Sequence, residues 1–87
     1  MDKIHMSILT SGGDKWEREV SSVRLPTGFG SVGILSGHAP MLCAVKKGVL
    51  LCRYGEDECA RIAVSDGIAN VADNEITVLV SALEELI

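Results

Sequence analysis

The feature that most limits the fold of this chain is the spacing of its turn residues. Glycine, proline, asparagine and aspartate recur throughout and divide the apolar residues into short runs. The first run alternates, with Ile4, Met6 and Ile8 on one face and polar residues on the other. Such runs predict an all-β protein, an antiparallel β-sandwich or flattened barrel of about eight to ten short strands.

The turn signals also place the individual strands. We expect them at residues 3–10, 15–25, 32–35, 41–45, 49–54, 58–64, 68–72 and 75–80. In the second strand the apolar pattern changes face between Val20 and Val23, which predicts a bend near Ser21. Pro26 and Gly28 are expected to end that strand.

The sequence is compatible with two conformations in each of two segments. The closing SALEELI fits either a helical start capped by Ser81 or further β-structure. Phe29, the only phenylalanine, lies between two glycines and either folds back over the sandwich or projects toward a partner.

Size and composition indicate one small globular domain spanning residues 1–87. The hydrophobic fraction of 47% excludes disorder, and a net charge of −4 argues against nucleic acid or an anionic lipid surface as partner. No apolar run approaches the roughly 20 residues that span a bilayer, and MDKIHMSIL lacks the architecture of a signal peptide. The chain is therefore expected in the cytoplasm or an equivalent compartment, without direct lipid insertion.

The sequence offers no convincing constellation for catalysis, for a metal or for a cofactor. Cys43, Cys52 and Cys59 lack C-x-x-C spacing and are expected to be buried small hydrophobes. His38 and Cys43 are close in sequence, but a proline-stiffened loop and a strand separate them. His5 is expected to be an ordinary residue on a strand face.

A carrier domain is an alternative. Biotinyl and lipoyl carriers are also small acidic sandwiches with a lysine at a mid-chain turn, where this chain has Lys46 and Lys47. The sequence around them lacks the acidic or methionine neighbours of such a lysine. A further alternative is a small ligand-binding or enzymatic sandwich that uses His38 and Cys43.

One stretch carries a resemblance to a known family. GSVGILSGHAPMLCAVKKGVL, from Gly30 to Leu50, resembles the hallmark of the N-terminal β-sandwich domain of the epsilon subunit of F-type ATP synthases, called delta in mitochondria. The likeness continues in order over nearly the whole chain, through LPT, GILSGHAP, KKGVL, AVSDG and ITVLV.

The resemblance implies a non-catalytic subunit of the central stalk. Such a subunit binds the gamma subunit, rests on the ring of c subunits and helps couple proton or sodium flow to ATP synthesis. It would be a peripheral protein on the cytoplasmic side of the membrane. Its docking faces predict a tendency of the isolated chain to self-associate.

The resemblance also suggests the residues that meet the c-ring. By position they are one end of the sandwich, made of Ser31 and the loop Gly37, His38, Ala39 and Pro40. Many members have acidic residues at positions 28, 29 and 31, which this chain lacks.

Three turn positions depart from the family pattern as well. Ser36 and Lys47 replace prolines, which predicts looser turns. Asp66 replaces a glycine, and it is expected to need a left-handed backbone.

The family usually continues into a C-terminal helical hairpin, whereas this sequence stops at Ile87. We therefore expect docking and coupling without helical inhibition or nucleotide sensing. A naturally short subunit and a truncated one remain equally compatible with the sequence.

Overall fold

The computed structural model describes residues 3–86, in which all regular structure is β-strand. The strands follow the predicted turns closely, and they are β1 (Ile4–Thr10), β2 (Lys15–Val20), β3 (Ser22–Thr27), β4 (Gly30–Leu35), β5 (Met41–Val45), β6 (Gly48–Arg53), β7 (Cys59–Val64), β8 (Gly67–Ala72), β9 (Glu75–Val80) and β10 (Leu83–Leu86). The all-β prediction is confirmed.

The strands form two five-stranded sheets. Sheet A has the order β2-β1-β9-β8-β5, and sheet B has the order β10-β7-β6-β3-β4. Neighbouring strands are antiparallel except β1 and β9, which run parallel. This parallel pair joins the N-terminal strand to a strand near the other end of the sequence.

The core lies between the sheets and consists of alternate side chains from both. Because successive strand residues point to opposite faces, alternate residues of a strand enter the core, as Ile4, Met6 and Ile8 of β1 do. The largest fully buried side chains are Ile4, Met6, Ile8, Leu25, Ile34, Leu50, Ile62 and Ile76. The chain has few aromatic residues, so branched aliphatic packing supplies the stability.

The sequence predicts one strand over residues 15–25 with a bend near Ser21, but the structure has two strands there that belong to different sheets. β2 belongs to sheet A and β3 to sheet B, and Ser21 lies between them. The Ser21 amide donates to the Arg53 carbonyl at 2.7 Å, which holds the corner against β6. Of the two residues expected to end the strand, Pro26 does not, because β3 continues to Thr27 and pairs with β4 there; Gly28 follows directly after the strand. The β6 ladder stops at Arg24, so the missing Pro26 N–H interrupts no bond to that strand.

The C-terminal segment resolves as a strand. β10 pairs with β7 from Leu83 to Leu86. The Ser65 hydroxyl accepts the amide N–H groups of Ser81, at 2.9 Å, and of Ala82, at 3.1 Å. These bonds satisfy the donors that a helical cap would otherwise use, so Ser81 starts a turn into the sheet rather than a helix.

A contact between edge strands closes one side of the sandwich. The Trp16 indole on β2 donates to a Glu85 carboxylate oxygen on β10 at 3.0 Å. The Arg18 guanidinium lies 4.2 Å from the centroid of the Tyr54 ring, which is cation–π distance. These contacts tie the edge of sheet A to sheet B.

The turn positions that depart from the family pattern are well bonded. Asp66 does not need a left-handed backbone, since among the described non-glycine residues only Asp73 and Asn74 have positive φ. Asp66 instead accepts the Lys47 amide at 2.6 Å on its carboxylate. A proline at position 47 has no N–H to donate, so lysine here provides a bond that tightens the turn.

Candidate docking surfaces

An apolar row crosses the outer face of sheet A. The pairing register places Leu9, Leu79, Ile68 and Ala44 side by side on four neighbouring strands; we call these four residues the apolar row. Ile68 is 41% exposed and Leu79 is 49% exposed. Leu42, on the same face of edge strand β5, is 67% exposed. Adjacent apolar side chains on an open sheet face are typical of an interaction surface.

The hairpin between β3 and β4 presents Phe29 to solvent; we call Thr27–Ser31 the hairpin end. Phe29 is fully exposed, so the alternative in which it folds back over the sandwich is wrong. The turn beneath it is ordered by the Thr27 hydroxyl, which donates to the Gly30 carbonyl and accepts the Phe29 amide at 3.2 Å. Gly30 has a φ of 105°, a conformation that glycine adopts without strain.

The hairpin end is also braced from the side. The Lys46 amide donates to the Pro26 carbonyl at 3.0 Å, and the Lys46 side chain packs near Gly28. Lys46 and Lys47 are both exposed. The aromatic ring therefore stands on a supported turn with the Lys46 side chain nearby.

The loop Gly37–Pro40, which we call the GHAP loop, is fastened to the turn between β8 and β9. The Gly37 amide donates to the Asn74 side-chain oxygen at 2.7 Å. The His38 amide donates to the Leu35 carbonyl at 3.1 Å, and its ring Nδ1 lies 2.7 Å from the Ala39 carbonyl oxygen. The loop is thus stiff, as the proline predicts.

The structure does not bring Ser31 and the GHAP loop together. Ser31 lies at the start of β4, and the loop follows Leu35 at its end. At about 3.3 Å per residue, roughly 13 Å of strand separates Ser31 from Leu35. The expectation that these residues form one end of the sandwich is therefore not met, because a strand joins the two sites end to end.

His38 and Cys43 are the pair that a catalytic function would require, and they lie in different parts of the structure. His38 contributes to a small cavity beside Ile34, Leu35 and Asn74, and Cys43 is not part of its lining. Burial raises the pKa of the Cys43 thiol, and it raises the pKa of the Cys52 thiol to about 11. Both thiols stay protonated and unreactive near neutral pH. The prediction that all three cysteines are buried is wrong for Cys59, which is exposed on the outer face of β7.

No candidate metal centre or membrane-spanning helix is found in the described part of the chain. In residues 3–86 no group of three histidine, cysteine or carboxylate side chains is arranged so that it could hold a metal ion. These residues also contain no helix long and apolar enough to cross a bilayer. The features that remain are surfaces.

His5 has two carboxylate partners that the sequence alone does not predict. Its two ring nitrogens lie 2.6 Å from carboxylate oxygens of Glu17 and Glu19 on the neighbouring strand β2. Hydrogen bonds to Glu19 and then Glu17 raise the pKa of His5, and the bond to His5 lowers the pKa of Glu17. The strand pairing of β1 with β2 creates this cluster, and no local spacing signals it.

The cluster predicts a pH-dependent contribution to stability. A raised histidine pKa stabilises the fold fully below the ordinary value of 6.5, and the contribution is lost as pH rises through the folded-state pKa. A lowered Glu17 pKa stabilises above the ordinary value of 4.5 and is lost as pH falls through the depressed value. Urea unfolding of His5→Gln should therefore show its largest deficit between those two ordinary values. Equal deficits for His5→Gln at pH 5.5 and 8.5 would contradict this prediction.

Comparison with known proteins gives a consistent family. The model of the ATP synthase delta/epsilon chain β-sandwich domain matches residues 3–86. A chloroplastic ATP synthase epsilon chain from Atropa belladonna is 40% identical over 82 residues, covering 94% of this chain and 61% of the relative. An ATP synthase epsilon chain from Cyanothece is 46% identical over 69 residues, covering 79% of this chain and 49% of the relative. The chain thus spans about half to three-fifths of these relatives' length.

Solved structures show the same fold at lower identity. A chain in the Euglena gracilis mitochondrial ATP synthase (OSCP/F1/c-ring) matches with a TM-score of 0.85 at 19% identity, covering 95% of this chain and 53% of that one. A chain in the Tetrahymena thermophila mitochondrial ATP synthase (central stalk/c-ring) matches with a TM-score of 0.77 at 18% identity, covering 95% and 66%.

Proposed function

Because the chain belongs to the family of ATP synthase delta/epsilon chain β-sandwich domains, we propose that it is a non-catalytic central-stalk subunit of an F-type ATP synthase. In this role it docks the gamma subunit to the c-ring and helps couple proton or sodium flow to ATP synthesis. Its location would be peripheral, on the cytoplasmic side of the membrane, within the complex. The observation that carries the proposal is the apolar row on the outer face of sheet A.

We assign the gamma subunit to the apolar row. The row crosses four strands that are hydrogen-bonded to one another, so it presents a fixed surface. Burying its leucine and isoleucine side chains contributes roughly 25 cal/mol for each Å² of apolar surface removed from water. Thr77 and Asn70 lie in the adjacent row and provide a polar margin. An apolar centre with a polar rim is typical of a specific protein interface.

We assign the c-ring to the hairpin end. Ser31 lies there, beside an aromatic side chain that already projects fully into solvent. A rigid exposed aromatic residue loses little conformational entropy on binding and often anchors an interface. The GHAP loop lies at the other end of β4, so in this arrangement it does not share the ring-facing surface. Its bond to Asn74 gives it a bracing role between the sheets.

A stiff body suits a subunit that transmits torque. A close-packed two-layer core has low compressibility and transmits strain between its surfaces. Here the apolar row and the hairpin end belong to different sheets of one core. A force applied by gamma at one surface would reach the ring through packed side chains rather than through a flexible linker.

The direct test is binding to gamma. Tagged gamma subunit from the same source should retain the chain in one-to-one stoichiometry after washing. The measurement is the molar ratio of the eluted proteins. Failure of the folded chain to bind gamma would contradict the proposal and favour a carrier or a stand-alone sandwich. A carrier would then reveal itself by a mass shift on Lys46 or Lys47.

A second prediction concerns the ring. Phe29→Ser should weaken binding to detergent-solubilised c-ring by about 10-fold or more, because it removes the exposed anchor. Binding to gamma should be unchanged. Leu35→Ser is the matched control, since Leu35 is also exposed but lies at the opposite end of β4. Biolayer interferometry measures the affinity of each variant for the c-ring and for gamma. Equal losses for the two variants would contradict the assignment of the hairpin end.

A further inference from the structure

The outer face of sheet B differs in character from that of sheet A. Arg24, Leu51 and Arg61 are register partners on the neighbouring strands β3, β6 and β7. Arg53 lies two residues beyond Leu51 on the same face of β6. Leu51 therefore has one arginine beside it on each neighbouring strand and a third two residues along its own strand. We call these three arginines with Leu51 the arginine face.

A hollow of about 440 Å³ opens beside this leucine. Gly33 pairs with Arg24 in the ladder, and no atom lies within 4 Å of the position that a Cβ on Gly33 would occupy. The space above Gly33, at the base of the hollow, is therefore unoccupied by protein atoms. Its walls combine cationic and apolar side chains, and its lining includes Ser22, Arg24, Leu35, Leu51, Arg53 and Cys59.

The charge of this face is opposite to that of the whole chain. The chain has a net charge of −4, yet among the described strand residues that point outward on sheet B, Glu84 is the only acidic one. None of the ion pairs within residues 3–86 involves the arginine face. Arg24 has only a 3.5 Å contact with the Ser31 hydroxyl. The guanidinium groups are thus available for an anionic partner.

We propose that the arginine face binds an acidic polypeptide segment that carries apolar side chains between its carboxylates. Guanidinium groups bind carboxylates with paired hydrogen bonds, and the exposed leucines Leu35 and Leu51 offer apolar contact between them. A nucleic acid or polyphosphate fits less well, because its phosphates give the exposed leucines no apolar partner. This site is separate from the apolar row, which lies on the opposite sheet, and it shares sheet B with the hairpin end, where Arg24 contacts the Ser31 hydroxyl.

Cys59 provides a reporter within the hollow. It is the exposed cysteine, whereas Cys52 is buried and Cys43 is half-buried. A short acetylated peptide of alternating glutamate and leucine should slow the alkylation of Cys59 by iodoacetamide, and the effect should saturate as the peptide concentration rises. The same peptide with glutamine in place of each glutamate should not slow this alkylation. The double variant Arg24→Gln/Arg53→Gln should lose about 10-fold or more in peptide affinity, as expected for removing charge-assisted hydrogen bonds. Salt at about 0.5 M should also weaken protection, because it screens charges beyond a few ångströms.

Control variants separate this proposal from the stalk function. Lys46→Gln/Lys47→Gln makes the same change in net charge at another place and should leave protection intact. Ile68→Glu, on the opposite sheet, should also leave it intact whether or not gamma binds. Absence of protection at millimolar peptide, or protection that survives the double arginine substitution, would overturn the proposal. Equal protection by inorganic phosphate or by a single-stranded oligonucleotide would contradict its assignment to a polypeptide.

Discussion

Gly67→Ala should destabilise the domain severely. A Cβ at this position would overlap the Leu79 carbonyl oxygen and would lie 2.7 Å from a Val80 methyl group. Gly67 begins β8 and pairs with Val80 in the central part of sheet A, so neither backbone can move without breaking the ladder. Overpacking of this kind costs about 3 kcal/mol or more when the obstacle is backbone. For a domain of this size that corresponds to a fall in Tm of roughly 12 °C or more.

Gly33→Ala is the matched control for this prediction. Gly33 also lies within a strand, but a Cβ there would meet no atom within 4 Å. Its free energy of unfolding should change by less than about 1 kcal/mol, and loss of glycine freedom in the unfolded chain favours a small gain. Urea unfolding of both variants measures the difference. Similar midpoints for Gly67→Ala and the native chain would show that the contact between β8 and β9 is looser than described.

Ile68→Glu should abolish tight binding to the gamma subunit. The variant places a charge in the middle of the apolar row, where docking would remove it from water without a counter-ion. An unpaired charge buried at an interface costs several kcal/mol, so we expect affinity to fall by about 100-fold or more. Ile68 is 41% exposed in the free chain, and folding should be little affected.

Val49→Glu is the control for that substitution. Val49 is 42% exposed and also lies on a strand, but it faces outward from sheet B. The two variants therefore introduce the same charge at equal exposure on opposite faces. Isothermal titration with gamma should give near-native affinity for Val49→Glu. Equal losses would indicate that gamma does not use the apolar row specifically.

The strand positions were predictable because they depend on local signals. Alternation and turn residues located the predicted runs, and the change of face at Ser21 located the crossing between sheets. The errors arose where a distant residue decides the outcome. Ser81 has a helix-capping pattern, but the Ser65 hydroxyl takes up its amide. Asp66 was expected to be strained, but the Lys47 amide gives its carboxylate a bond.

The candidate surfaces were less predictable for the same reason. Leu9 and Leu79 are far apart in sequence and become neighbours only through the parallel pairing of β1 with β9. The cluster around His5 and the arginine face likewise depend on strand register. The GHAP loop and Ser31 belong to one continuous stretch of sequence, Gly30 to Leu50, yet they lie at opposite ends of β4. Proximity in sequence was therefore a poor guide to which residues share a surface.

The most direct test of the central claim is whether this chain links gamma to the c-ring. Tagged gamma would be mixed with solubilised c-ring, with or without the chain, and the recovered ring would be quantified. We expect the native chain to increase the amount of ring recovered with gamma. The Ile68→Glu variant should fail to bind gamma and should therefore give no increase. The Phe29→Ser variant should still bind gamma but should also give no increase in recovered ring. Ring recovery that is the same with and without the native chain would contradict the proposed role as a stalk subunit.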